Sequence, residues 1–266
     1  MIQAIFFVVV FAALQILVPF LVQQLYQLIS GAEAASNTTM LIISMTASSV
    51  ACLALFLTLK WAEVSRSYVR SRPWAVLFWC AIAALGAAIP STWLQEQLPE
   101  LPNLVEEEFD LLLRHRWGYF TIGLLAPLCE ELVFRGAVLR ALLRWSSGSL
   151  SLRMGKKGAC WVAIAISALL FALIHANPVQ MPHAFLIGLL LGWMYYRTDS
   201  IVPGIAFHWV NNSLAYVLYN LYPDPQLKLI DLFGSQRTVA AAVLFSLFML
   251  LPALYQLNLR LKKARD

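Results

Sequence analysis

The sequence predicts an all-α membrane protein, a bundle of about eight transmembrane helices. Of its 266 residues, 61% are hydrophobic and only 12% are charged, and the mean hydropathy is +0.72. A soluble domain is about half apolar and about a quarter charged, so this composition indicates a chain that crosses a bilayer several times. No long polar stretch interrupts the apolar segments. We therefore interpret residues 1–266 as a single integral membrane domain.

Successive apolar segments predict the spanning helices, and short polar loops separate them. The first has neither a basic N-terminal region nor a cleavage site of small residues, so we expect a retained helix rather than a signal peptide. The sixth is short for a full crossing and is expected to be tilted or partial. The segments comprise residues 2–30, 40–60, 74–94, 117–144, 159–176, 183–197, 201–221 and 238–259.

The basic residues of the loops predict the orientation of the chain. Of the 19 Lys and Arg residues, fourteen share one side if every segment crosses, four lie on the other side, and Arg135 falls within a span. Because cytoplasmic loops carry the excess of basic residues, both termini are expected to be cytoplasmic. The fourteen are Lys60, Arg66, Arg70, Arg72, Arg140, Arg144, Arg153, Lys156, Lys157, Arg197, Arg260, Lys262, Lys263 and Arg265, and the four are Arg114, Arg116, Lys228 and Arg237.

The loop between the third and fourth spans has an amphipathic pattern of its own. Residues 98–116 intersperse acidic side chains with leucines, which is typical of a helix lying at a membrane surface. The alternative interpretation is a gate for substrate beside the fourth span.

The fourth span contains the stretch APLCEELVFRG, which places three charges where burial is most costly. Glu131 and Arg135 are one helical turn apart and offset by about 40°, so they are expected to form an ion pair. Glu130 points about 140° away from Arg135 around the helix. The spacing therefore predicts a carboxylate without a cation of its own, which suits a proton acceptor.

The fifth and seventh spans carry imidazole groups into the membrane. Phe171 and His175 are one turn apart on one helix, and His208 and Asn212 have the same spacing on the other. Asn211 lies on a different face of its helix, and we interpret it as a packing residue or one that forms an interhelical hydrogen bond.

The other histidines and the cysteines have simpler interpretations. His115 and His183 lack a partner at one-turn spacing and are interpreted as interfacial residues. Each cysteine lies in or beside an apolar segment, which favours a small buried side chain over a disulfide or a metal cluster. The cysteines are Cys52, Cys80, Cys129 and Cys160.

The fourth, fifth and seventh spans together carry the groups that hydrolysis needs. A carboxylate can act as the base that activates water, and imidazole and amide groups can stabilise an oxyanion. Two histidines and a glutamate are also a familiar ligand set for zinc, so a metal site is the alternative, although the sequence lacks a helical His-Glu-x-x-His motif. The basic residues lie in short loops rather than along one soluble face, so we expect no nucleic-acid partner.

The motifs resemble those of a known family, in the same order on three spans. EELVFR fits E-E-x-x-x-R, FALIH fits F-x-x-x-H and HWVNN fits H-x-x-x-N. Together with the flanking YRTDSIVPGIAFH they resemble the CAAX-processing and bacteriocin-processing (CPBP, or Abi) intramembrane proteases, over residues 118–219. That family includes the type II CAAX prenyl endopeptidase.

This resemblance implies a glutamate-dependent endopeptidase that works within the membrane without a metal or another cofactor. Glu130 would be the general base, with His175 as its partner in activating water. His208 and Asn212 would form the oxyanion hole. The supporting residues would be Glu131, Arg135 and Phe171. The implied partner is a membrane-embedded or lipidated peptide or protein, prenylated or not.

Two other classes of function stay open at this point. The family also includes immunity factors, so the chain could be a non-catalytic membrane protein that binds a peptide or another membrane protein. A proton or ion transporter is disfavoured because no internal repeat is visible. In each case we expect a multi-pass protein of a bacterial plasma membrane.

Overall fold

The described part of the chain consists of helices and the connections between them. The computed structural model describes residues 1–30, 38–224 and 227–263, and within these ranges it contains no strand. The all-α prediction is therefore confirmed for them. Arg265, one of the basic residues used to predict orientation, lies outside the described residues.

Two π-helical segments, which are wider than an α-helix, interrupt the fourth predicted span. They are π1 (Tyr119–Leu125) and π2 (Leu132–Leu139), and with the α-helices between and after them they form one helical rod over residues 119–146, here called the central rod. The α-helices are α1 (Ile2–Ser30), α2 (Thr38–Thr58), α3 (Arg66–Arg70), α4 (Trp74–Glu96), α5 (Glu106–Arg114), α6 (Ala126–Glu131), α7 (Arg140–Ser146), α8 (Ser149–Ile174), α9 (Met181–Thr198), α10 (Val202–Leu221), α11 (Leu229–Phe233) and α12 (Gln236–Arg260).

Among the described residues, five helices, α1, α2, α4, α8 and α12, are long and apolar enough to cross a membrane. The other three predicted spans, which correspond to the central rod, α9 and α10, are also helical. The rod is divided into short segments, and α9 and α10 are less apolar than the five long helices. In α10 the polar side chains that lower the apolarity include the candidate site residues His208 and Asn212. The chain is thus a multi-pass membrane protein, whereas eight crossings and cytoplasmic termini remain predictions.

The central rod lies in the middle of the bundle. Every residue of π2 is buried, and the rod contacts α1, α2, α8 and α10. On another side α4 packs along both α10 and α12. A Cβ at Gly86 would lie 2.7 Å from the backbone nitrogen of Leu250, so this glycine permits the close contact of α4 with α12.

Helix α10 runs antiparallel to the central rod, and this pairing positions the site. Near the beginning of the rod, the hydroxyl groups of Tyr119 and Ser213 are 3.1 Å apart. Farther along, a Cβ at Gly204 would lie only 2.5 Å from Oε2 of Glu131. Because glycine has no Cβ, α10 can pass directly over the Glu131 carboxylate.

Candidate functional site

The ion pair predicted within the fourth span is present at the centre of the bundle. Nη1 of Arg135 donates a hydrogen bond to Oε1 of Glu131 at 2.7 Å, and the two side chains are 1% and 0% exposed. The Arg135 guanidinium also donates to the carbonyl of Gly188 at 3.4 Å and lies 4.4 Å from the ring centre of Phe171. The charge is therefore compensated by a carboxylate, a carbonyl and an aromatic face.

The same carboxylate reaches a second helix. Nδ1 of His208 lies 3.2 Å from Oε1 of Glu131. Phe171 packs edge-to-face against the His208 ring, with 5.9 Å between the ring centres. Glu131 and Phe171, predicted only as supporting residues, thus both contact one of the two candidate histidines.

Glu130 occupies a different environment from Glu131, as the helical spacing predicts. Its side chain is 21% exposed, and Nε2 of His208 is 3.8 Å from Oε2 of Glu130. Within the described residues, Oε2 of Glu130 is buried and has no hydrogen-bond partner. A carboxylate oxygen in this state can accept a proton or a hydrogen bond from a molecule in the site.

His175 is held in one orientation by its own helix. Its Nδ1 is 2.7 Å from the backbone carbonyl of Phe171, and its ring packs edge-to-face against the Phe171 ring. A carbonyl oxygen only accepts hydrogen bonds, so Nδ1 carries the proton. In the neutral ring Nε2 is then left with a free lone pair, as a base or a hydrogen-bond acceptor requires.

Asn212 and Asn211 are linked beside the histidines. Nδ2 of Asn212 donates to the backbone carbonyl of Ile122 on the central rod at 3.1 Å, and Nδ2 of Asn211 donates to Oδ1 of Asn212 at 3.3 Å. Asn211 therefore orients the amide of its neighbour, a role that its position on another helical face does not indicate.

The four predicted catalytic residues line one cavity of about 570 Å³. Its walls come from α2, the central rod, α8, α9 and α10, and one side is formed by Phe109 and Leu112 of α5 and by Val105, which precedes this helix. Apolar and aromatic side chains make up most of the lining. A chamber of this size with a few convergent polar groups is typical of a site for an organic ligand.

The cavity also includes polar residues that sequence reasoning placed elsewhere. His183, interpreted as an interfacial residue without a partner, has a half-buried side chain that lines the cavity together with Gln180. The connection after His175 folds back so that the beginning of α9 returns to the site. One-turn spacing detects pairs on a single helix, so it could not identify a residue brought in by a turn.

The histidines and acidic residues are not clustered as metal sites usually are. Across residues 1–30, 38–224 and 227–263, no three His, Cys, Asp or Glu side chains form a group that could hold a metal ion. The expectation of a metal-independent site remains a prediction.

Known proteins are similar to part of this chain. The family model of the type II CAAX prenyl endopeptidases, Rce1-like, matches residues 113–214. The membrane-embedded CAAX protease MroQ of Staphylococcus aureus is 27% identical over 109 residues, which cover 41% of this chain and 42% of that protein. The UPF0177 protein YxdF of Lactococcus lactis is 24% identical over 151 residues, covering 56% of this chain and 65% of the relative. No solved structure matches the chain significantly.

The match to the family model lies in the part of the chain that forms the site. Each alignment covers less than two thirds of the relative's own length. The segment matched by the family model contains Glu130, His175, His208 and Asn212. The resemblance noted from the three motifs is therefore confirmed at the level of the family.

Proposed function

We propose that this chain, a member of the CAAX-processing and bacteriocin-processing family over its core, is an intramembrane endopeptidase. Its substrate would be a peptide bond in a membrane-embedded or lipidated polypeptide. Glu130 and His175 would activate water, and His208 and Asn212 would stabilise the oxyanion. The observation that carries the proposal is that these four side chains, from three separate parts of the bundle, line one cavity.

The proposed reaction begins with a water molecule between Glu130 and His175. Glu130 takes a proton from the water molecule while the oxygen of that water attacks the carbonyl carbon of the peptide bond. This attack gives a tetrahedral intermediate. Nε2 of His175 accepts a hydrogen bond from the same water, because its Nδ1 is bound to the Phe171 carbonyl. The proton then passes from Glu130 to the leaving amine as the carbon–nitrogen bond breaks, which restores the carboxylate.

The negative oxygen of the intermediate needs hydrogen-bond donors. Asn212 has an amide group with two N–H bonds, of which one donates to the Ile122 carbonyl and the other can donate to the oxyanion. His208 has its Nδ1 on Glu131, so only Nε2 can face the substrate. Its role as a donor therefore requires that Nε2 carry a second ring proton at that step.

The experiment that tests the proposal compares Glu130→Gln with the wild type. The purified protein is reconstituted in liposomes with a fluorogenic peptide bearing an acyl chain, and hydrolysis is measured. Loss of the base is expected to reduce the rate by about 10²–10⁴-fold. Glu107→Gln, an exposed change on α5, is the matched control and should retain full activity.

Two results would contradict the proposal. If Glu130→Gln hydrolyses the peptide at the wild-type rate, Glu130 is not the general base of the reaction. A wild-type protein without hydrolysis, whose cellular function survives both Glu130→Gln and His175→Ala, would favour the alternative of a non-catalytic immunity or scaffold protein. Metal independence is also part of the proposal, and stoichiometric zinc in the purified active protein would contradict that part.

A further inference from the structure

We propose that the cavity receives its peptide from the extracytoplasmic side of the membrane. The substrate would then be a segment of a polypeptide that is exposed at the outer face or has been exported across the bilayer. The inference that this segment is cleaved rests on the proposed endopeptidase function. The inference about the side from which it enters rests on the distribution of charge along the bundle.

The cavity extends from one end of the bundle, here called the site end, to the middle of the bundle, where Glu130 and His208 lie. The lining residues belong to the first halves of α2, α9 and the central rod, to the end of α8, and to α10 from His208 to Tyr219. Neighbouring helices run in opposite directions, so these beginnings and ends meet. Representative residues are Leu41, Gln180, Ile122, His175 and Tyr219.

Contacts between loops hold the site end together. Nδ2 of Asn177, after α8, donates to Oδ1 of Asn103 at 2.9 Å, and Oδ1 of Asn177 accepts from the backbone of Leu104 at 3.0 Å. Asn177 is fully buried. The loop that precedes α5 is thus fixed beside the site, and α5 forms a wall of the cavity.

At the opposite end of the bundle, here called the basic end, the ends of α2, α9 and the central rod lie together. Nη2 of Arg140 lies 2.5 Å from Oε1 of Glu63, and Arg197 donates to the side chain and the backbone of Asn258. Arg144 is fourteen residues beyond Glu130 on the rod, a distance of about 21 Å at about 1.5 Å per residue. Along the rod, Glu130 and Arg144 are therefore separated by about two thirds of the hydrocarbon core, which is about 30 Å thick.

The two ends differ strongly in charge. Apart from Arg265, which is not described, all the residues of the larger basic set lie at or near the basic end. The loops of the site end carry only Arg114, Arg116, Lys228 and Arg237, and the stretch before the rod is acidic at Glu100, Glu106, Glu107, Glu108 and Asp110. Loops rich in Lys and Arg are retained in the cytoplasm, so the site end faces outward.

This arrangement has a consequence for the class of substrate. A lipidated tail on the cytoplasmic side would face the basic end, about 20 Å from Glu130. A peptide that has crossed the membrane, or one whose membrane-spanning segment ends at the outer surface, reaches the α5 side of the cavity directly. Exported peptides and the outer ends of membrane-anchored proteins are therefore the expected substrates.

Cysteine labelling in intact cells tests the orientation without any measurement of activity. Glu107→Cys on α5 and Arg144→Cys at the basic end replace exposed side chains, and the wild type reports labelling of the native cysteines. A membrane-impermeant maleimide should label Glu107→Cys in intact cells and Arg144→Cys only after permeabilisation. The opposite pattern, or equal labelling of both in intact cells, would overturn the proposal. Arg116→Cys and Arg70→Cys provide a second exposed pair.

A second measurement tests the side from which substrate enters. The acylated fluorogenic peptide is added to right-side-out and inverted membrane vesicles that contain equal amounts of the protein. Hydrolysis is expected to be at least about tenfold faster in right-side-out vesicles, a difference of about 1.4 kcal/mol in activation free energy. Equal or faster hydrolysis in inverted vesicles would overturn the proposal. Hydrolysis in neither preparation would contradict the endopeptidase function, while the labelling result would still decide the orientation.

Discussion

Nδ1 of His208 lies 3.2 Å from Oε1 of Glu131, although the two residues are 77 positions apart in the sequence. The same oxygen accepts a hydrogen bond from Arg135 at 2.7 Å. One carboxylate thus neutralises a buried guanidinium and orients an imidazole, whose Nε2 then faces Glu130 at 3.8 Å. The adjacent glutamates consequently have separate tasks, since Glu131 positions His208 and Glu130 is free for chemistry.

The buried ion pair leads to a prediction about stability. Arg135→Met leaves the Glu131 carboxylate buried without its cation, which should destabilise the protein by about 3–5 kcal/mol. Thermal unfolding in detergent measures the change. Arg144→Met, which removes an exposed arginine farther along the rod, is the control and should have little effect.

The double variant Glu131→Gln/Arg135→Met separates charge from packing. It removes both charges, so it should recover a large part of the stability lost in Arg135→Met. Its activity should nevertheless be lower than that of the wild type, because the neutral amide that replaces the Glu131 carboxylate no longer provides the anion that orients His208. A double variant as unstable as Arg135→Met would show that the arginine acts through its packing rather than its charge.

The orientation of His175 predicts its tautomer. Because Nδ1 donates to the Phe171 carbonyl at 2.7 Å, the neutral ring should be protonated at Nδ1 and not at Nε2. Nitrogen-15 NMR of histidine-labelled protein in detergent, at a pH where the ring is neutral, distinguishes the two forms. The spectrum of His175→Gln assigns the signal. A ring protonated at Nε2 would contradict the proposed acceptance of a hydrogen bond from water.

Helical periodicity accounts for the part of the site that can be predicted from sequence. The pairing of Glu131 with Arg135 and the exclusion of Glu130 from that pair follow from 3.6 residues per turn. So does the common direction of Phe171 and His175. These relationships concern residues on one helix, for which the geometry is known before the fold is.

Contacts between helices could not be predicted in the same way. The bond from His208 to Glu131 depends on how α10 crosses the rod, and the position of His183 depends on the turn before α9. The rod was also predicted as one apolar span, but π1 and π2 divide it. The amide of Ala126 donates to the carbonyl of Thr121, five residues back, just before Pro127, which has no amide hydrogen to donate.

The contact between α5 and α10 should depend on pH. Hydrogen bonds from the Tyr219 hydroxyl and the Arg114 guanidinium lower the pKa of Asp110 below its ordinary value of 3.8. The contact should therefore be fully present above about pH 3.8 and be lost as the pH falls through the lower, folded-state pKa. Hydrogen exchange of residues 106–114, corrected for intrinsic rates, should increase at acidic pH.

Asp110→Asn provides the control for this pH dependence. The amide cannot ionise, so exchange in residues 106–114 should be faster than in the wild type at pH 6 and should show no additional step at acidic pH. If the wild type and the variant exchange equally at pH 6, the Asp110 carboxylate does not hold α5 against α10.

The close passage of α10 over Glu131 predicts that Gly204→Ala impairs both stability and activity. The added Cβ would lie 2.5 Å from Oε2 and 3.3 Å from the carboxyl carbon of Glu131, so α10 or the carboxylate must move. Overpacking of this kind costs about 1–3 kcal/mol, measurable by thermal unfolding. Displacement of His208 by about 1 Å should reduce hydrolysis by about 10²-fold, mainly in kcat. Gly158→Ala is the matched control, because its Cβ would meet only the flexible Met154 side chain, at 3.4 Å. If both alanine variants retain wild-type activity, the close contact at Gly204 is not needed to position His208, because the helix can shift without moving the ring.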